Sequence, residues 1–117
     1  MAFIAQVAGD LKEGKAREFQ QWLEANEKDL ANAHPDGARY IGTYFMIYGD
    51  RSSGSVHTLI EMDDYGTQDT LAAAGKDPDN VYGKLVNELV GFIDQQSSNY
   101  TQALYKAVTD ATLYGDD

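Results

Sequence analysis

The sequence predicts an α+β fold of the ferredoxin-like type: a βαββαβ sandwich whose antiparallel four-stranded sheet carries its helices on one face. Three observations predict it. Apolar, aromatic and β-branched runs within residues 38–62 flank a polar connection at 49–54, the pattern of a central hairpin. Amphipathic stretches of helical period lie on either side of that hairpin. A short strand-like run stands at each end of the series. With 117 residues the chain suffices for one core, so a single domain over 1–117 is expected.

The first strand covers residues 3–8, with Phe3, Ala5 and Val7 on one face and Ile4, Gln6 and Ala8 on the other. Asp10 and Glu13 have the spacing of a capping box for a helix over about 15–33. Ala16, Phe19, Leu23 and Leu30 recur there at helical spacing, with Trp22 beside them. His34-Pro35-Asp36-Gly37 ends the helix, because proline disfavours helical geometry in the residue before it. His34 reads as a solvent-facing residue at that end.

The second strand, 39–48, places Tyr40, Gly42, Tyr44, Met46 and Tyr48 on one parity and Ile41, Thr43, Phe45 and Ile47 on the other. The third, 55–62, sets Val56, Thr58, Ile60 and Met62 against His57, Leu59 and Glu61. Thr67 then caps a short helix over 68–74, interrupted by Gly75-Lys76. Asp77 as N-cap, with Pro78 at the first helical position, opens a further helix to residue 95, with Tyr82, Leu85, Val86, Leu89 and Ile93 on one stripe. A loop at 96–99 leads to a fourth strand at 100–108, where alanine and leucine also suit a helix. The tail from 109 to 117 reads as peripheral.

Neither hairpin strand alternates apolar with polar in the manner of a sheet with one wet face. Helices cover one face only. At about 25 cal/mol per Å² of apolar surface, leaving the second face in water forgoes many kcal/mol. A homodimer pairing two such faces is therefore expected.

Gly14-Lys15-Ala16-Arg17-Glu18-Phe19 is similar to the opening of helix one in the dimeric α+β barrel superfamily, which includes antibiotic biosynthesis monooxygenase-like domains. The third strand running into Ile60-Glu61-Met62-Asp63-Asp64-Tyr65, and the broken second helix, add to this resemblance. It implies a ferredoxin-like fold and a dimer. Its members span cofactor-free oxygenases, haem-degrading enzymes, isomerases of small organic acids and proteins without known activity, so the resemblance leaves the function open. The haem-degrading members use an Asn, Trp and His set that the one tryptophan, Trp22, does not match.

Charge and composition narrow the choice. Nineteen acidic against nine basic residues give a net charge of −10, which repels phosphate backbones and anionic lipid surfaces; no nucleic acid and no membrane are expected as partners. No stretch approaches the ~18 apolar residues of a membrane span, and the first residues lack a signal-peptide pattern, so a cytoplasmic protein is expected. The chain has no cysteine, which excludes disulfides, thiolate metal sites and cysteine nucleophiles. The two histidines form no ligand-spaced pair, so no metal is expected. Glycine spacings match neither a P-loop nor a dinucleotide fingerprint, and no cofactor is expected. Ser52, Ser53, Ser55, Ser97 and Ser98 lie in or beside loops without a G-x-S-x-G setting.

His57, on a central strand, is the best candidate for a catalytic residue or ligand partner; a histidine satisfied by core or interface hydrogen bonds is the alternative. Glu61 lies four residues along the strand, roughly 13 Å away at the usual rise, too far for a dyad. Tyr40, Tyr44 and Tyr48 form a row that serves either packing or a pocket wall. Phe19 and Trp22 on the first helix, with Tyr82 and Leu85 on the later one, supply an opposite wall. With Tyr44 and His57 they make the candidate ligand-binding set, an apolar pocket between sheet and helices for a hydrophobic small molecule, fatty-acid-like or aromatic. A cofactor-free monooxygenase or isomerase using His57 and a tyrosine is the enzyme alternative. A dimeric interaction module without ligand is the third.

Overall fold

Alternating strand and helix periods resolve into β1 (Phe3–Gly9), α1 (Ala16–Asn32), β2 (Ala38–Phe45), β3 (Val56–Met62), α2 (Thr67–Lys76), α3 (Val81–Gly91) and β4 (Thr101–Lys106). They come from a computed structural model that describes residues 3–49 and 54–109. The strands form one antiparallel sheet in the order β2-β3-β1-β4, the ferredoxin-like arrangement that the sequence predicts. No helix among the described residues is long and apolar enough to cross a membrane.

The pairing register decides which side chains share a face. Val7 lies opposite Thr58 and Ala5 opposite Ile60, while Leu104 faces Ala5 from β4. These residues meet the helices. Phe19 and Leu30 of α1 enclose Val56 together with Leu85, Leu89 and Ile93, and a second cluster joins Ala38, Met62, Leu71 and Tyr82. Met62, Val56, Leu30 and Ile93 are fully enclosed. The opposite face carries Ile4, Gln6, His57, Leu59 and Tyr105, and among the described residues no helix packs on it.

One irregularity reorganises the hairpin. Tyr40 pairs with Ile60 but Gly42 pairs with Leu59, so Ile41 is an extra residue, a β-bulge. Side-chain direction alternates with period two, so one inserted residue reverses every later position. Tyr40 thus faces the helices while Tyr44, opposite His57, faces away from them. The tyrosine row predicted along one face does not exist. Tyr48 is 95% exposed and lies beyond the end of β2 at Phe45.

The helix boundaries and caps differ from the sequence pattern in four places, each for a local reason. Lys15 stands at the N-cap of α1 with no side-chain cap. Asp10, expected there, instead accepts hydrogen bonds from Ser97 Oγ at 2.8 Å and Asn99 Nδ2 at 2.9 Å, tying the end of β1 to the loop before β4. Helix α2 runs through Gly75 to Lys76, and Asp64 Oδ1 accepts from Thr67 N and Oγ1, so Thr67 is capped rather than capping. Asn80, not Asp77, caps α3 by accepting from the N–H groups of Tyr82 and Gly83. The α2–α3 corner is tight: a Cβ at Gly83 would run into the carbonyl oxygens of Ala74 and Asp77. Helix α3 stops at Gly91, and Ile93 forms a bridge to Leu11 instead of extending it. Ser52, Ser53 and the tail from residue 110 fall outside the described residues.

Candidate functional site

The polar groups nearest the sheet–helix core gather where α1 ends. His34 folds back there, with Nδ1 2.8 Å from the Leu30 carbonyl. A carbonyl only accepts, so Nδ1 carries the proton and the neutral ring presents a lone pair at Nε2. That nitrogen is buried and has no hydrogen-bond partner. Burial holds the His34 pKa below the usual value, although the Leu30 carbonyl opposes the shift. Imidazole rather than imidazolium is the form at neutral pH.

Two phenols flank this ring. Tyr82 meets it edge to face, with centroids 4.7 Å apart, and Tyr40 lies at 5.8 Å. Burial pushes the Tyr82 hydroxyl up to about 12. The Tyr40 hydroxyl is raised further, by burial first and then by its hydrogen bond to Glu27. It donates to Glu27 Oε2 at 2.7 Å and lies 2.7 Å from Thr43 Oγ1, which is 3.0 Å from Thr58 Oγ1. With its proton committed to the carboxylate, Tyr40 accepts from Thr43, and Thr43 from Thr58. His34, Tyr40, Thr58 and Tyr82, with the aliphatic Val7, Ile60 and Val86, line a cavity of about 60 Å³.

The opposite sheet face holds a second, larger concavity. His57 Nε2 lies 3.0 Å from Ser55 Oγ, and Nδ1 lies 3.3 Å from Gln6 Oε1. The three side chains border an open basin of about 380 Å³ that Thr101, Asn99 and Tyr105 also line. Tyr44, across from His57 on β2, lays its phenol over Gly42, where a Cβ would stand 2.7 Å from the hydroxyl oxygen.

The six candidate ligand-binding residues therefore separate. Phe19 and Leu85 are packing residues of the core around Val56. Trp22 is half-buried at its rim, tilted against Phe92, with its indole N–H donating to Glu88 Oε1 at 2.8 Å. Tyr82 lines the sheet–helix cavity, while Tyr44 and His57 lie on the far side of the sheet. Small-molecule pockets commonly measure about 300 Å³ or more. A cavity of about 60 Å³ does not admit a fatty-acid-like chain. His34, expected in solvent, is the residue that sequence reading missed. Its signal was the His-Pro-Asp-Gly turn, which reverses the chain beneath the end of α1. Among the described residues no group of three or more His, Asp or Glu side chains is placed to hold a metal ion.

No family model and no curated protein matches the chain. Solved structures do. A crystal structure of a NIPSNAP domain protein from Burkholderia xenovorans superimposes with a TM-score of 0.62 at 17% identity, covering 98% of this chain and 99% of the other. A NIPSNAP family protein of unknown function from Agrobacterium tumefaciens gives 0.62 at 12% identity, over 91% of this chain and 87% of that one. A candidate antibiotic biosynthesis monooxygenase from Caulobacter crescentus gives 0.54 at 14% identity, over 92% of each. At such identities the likeness is one of fold. It is the ferredoxin-like fold that the resemblance to α+β barrel proteins implied.

Proposed function

We propose that this protein works as a homodimer paired through its helix-free sheet face. Each copy holds a small, mostly apolar molecule bearing an O–H or N–H donor between sheet and helices. The observation that carries the ligand reading is the buried, unpartnered Nε2 of His34 facing apolar walls. Leaving such an acceptor unpaired costs roughly 1–3 kcal/mol, which a donor entering the cavity recovers. The volume of about 60 Å³ suits a short alcohol or the polar end of an enol or phenol whose entry shifts the walls.

The dimer reading rests on the strip formed by Ile4, Leu59 and the half-exposed Ile41, Tyr44 and Tyr105, at 40%, 51% and 52% exposure. Exposed large apolar side chains gathered on one sheet face suit an association surface. A cofactor-free isomerase or monooxygenase is the second reading, since a neutral imidazole between two protonated phenols suits proton transfer at a carbon next to a carbonyl. Titration with ethanol, propanol and phenol, followed by ¹H NMR of the His34 ring and by thermal shift, tests the ligand. His34→Phe keeps the shape and removes the acceptor. Saturable binding lost in that variant supports the reading; equal response in both proteins removes it.

A further inference from the structure

We propose that the His34 cavity selects short primary ammonium ions, and that Glu27 sets this choice through a row of hydroxyl groups. The inference rests on the ligand reading above and names the chemical class that the cavity takes.

The row owes its existence to the irregularity in the hairpin. Positions three apart along a regular strand point to opposite faces. The bulge at Ile41 instead brings Tyr40 and Thr43 to the same, helix-facing side, where Thr43 lies opposite Thr58. The row is thus on the other side of the sheet from the face proposed to pair. Tyr40 Oη lies 2.7 Å from Glu27 Oε2 and 2.7 Å from Thr43 Oγ1, which is 3.0 Å from Thr58 Oγ1.

Each hydroxyl carries one proton, so the end of the row decides its direction. The Glu27 carboxylate only accepts and therefore takes the Tyr40 proton. Tyr40 must then accept from Thr43, and Thr43 from Thr58. With its proton directed into the row, Thr58 offers a further partner only lone pairs. Thr58 is 7% exposed and lines the cavity. His34 lines it too, with its proton on Nδ1 at the Leu30 carbonyl, so the buried Nε2 is likewise an acceptor alone. The Tyr82 hydroxyl rotates and suits either kind of partner. Two acceptors of fixed polarity therefore share one small wall.

Ligand chemistry follows from that polarity. A ketone or carboxylate sets lone pairs against lone pairs. An alcohol has one proton and leaves the second acceptor unpaired. A primary ammonium has three donors and no acceptor, so it satisfies both. Burying a cation requires an answering charge. Glu27 supplies it at the outer end of the row, and each donated hydrogen bond makes the next oxygen a stronger acceptor. The net charge of −10 also draws cations toward the chain. A cavity of about 60 Å³ limits the tail to a short alkyl chain.

Titrations of the full chain with ethylammonium, ethanol, acetone and tetramethylammonium test this, read by ¹H NMR of the His34 ring. Tetramethylammonium carries the charge without a donor. Ethylammonium should bind about tenfold or more tightly than ethanol, while acetone and tetramethylammonium leave the ring unmoved. Thr58→Val keeps the side-chain shape without the acceptor and should reduce the preference over ethanol to about twofold or less. Glu27→Gln can donate to Tyr40 as well as accept, which frees the row to reverse, so acetone should now bind. A merely structural Glu27 creates no ketone binding when replaced. Ethanol binding as tightly as ethylammonium, both lost in His34→Phe, overturns the selectivity and leaves the ligand reading standing. Silence from every probe removes both. An equal response to tetramethylammonium, or a preference kept in Thr58→Val, also overturns the proposal. Acetone indifferent to Glu27→Gln removes Glu27 from the selection.

Discussion

His34 and Tyr82 meet edge to face, with ring centroids 4.7 Å apart and ring planes at 78°. The contact joins the end of α1 to the first turn of α3 over the open core of the sheet. Edge-to-face pairs add about 0.5–1.5 kcal/mol beyond area burial, and removing the ring also leaves a void. His34→Ala should destabilise the fold by about 2 kcal/mol in urea denaturation. A loss below the error of that measurement would show that the α1–α3 junction does not depend on the ring.

The same histidine makes stability depend on pH. Its pKa is lowered in the folded chain, so between the folded and unfolded values the unfolded chain binds more protons. Stability is therefore retained above the unfolded pKa, near 6.5, and lost as pH falls below it. The difference in unfolding free energy between wild type and His34→Phe isolates this contribution from that of the carboxylates. It should shift against the wild type between pH 7.5 and pH 5; a flat difference would contradict a buried neutral ring.

Tyr82 behaves in the opposite sense at high pH. Its folded pKa is raised from 10.0 to about 12, so the folded state holds the proton longer than the unfolded state does. Stability falls as pH rises through 10 toward that value. Spectrophotometric titration at the tyrosinate band should show late-titrating intensity from Tyr40 and Tyr82, and Tyr82→Phe should remove the Tyr82 share of it. Tyr82 ionising together with the exposed tyrosines would refute its burial.

Two glycines give contrasting forecasts for one substitution. A methyl at Gly83 meets the Ala74 and Asp77 carbonyl oxygens, which cannot swing aside, so Gly83→Ala should cost about 3 kcal/mol. Gly75, within α2, has nothing within 4 Å of a built Cβ. There alanine removes backbone freedom from the unfolded chain and should stabilise by about 0.5–1 kcal/mol. Paired melting curves check both directions.

A charge on the helix-free face tests the dimer. Leu59 sits in mid-strand on that face, opposite Gln6, so Leu59→Glu leaves the helix-side core intact. Sedimentation at micromolar concentration should show wild-type dimer and variant monomer with unchanged circular dichroism. A monodisperse wild-type monomer would remove the proposed assembly.

Residue pattern by itself determined the order of elements, the central hairpin and the division of β1 and β3 side chains into two alternating sets. Phe3, Ala5 and Val7, and Val56, Ile60 and Met62, obey a period of two that local chain geometry enforces, and the long stripe of α1 obeys 3.6. Helix starts were less legible, because Asp10, Asp77 and Asn80 are all chemically able to cap. Only the completed packing assigned Asp10 to the β4 loop and Asn80 to α3. The bulge at Ile41 was not legible at all: it exists to reconcile two strands, and one inserted residue sent Tyr40 and Tyr44 to opposite sides of the sheet. His34 and the Ser55–His57–Gln6 row were hidden for a related reason. Gln6 and His57 are 51 positions apart, and their contact exists only because β1 lies beside β3 in one register. Tertiary structure alone made that choice, since periodicity specifies which way a side chain points but not what stands opposite.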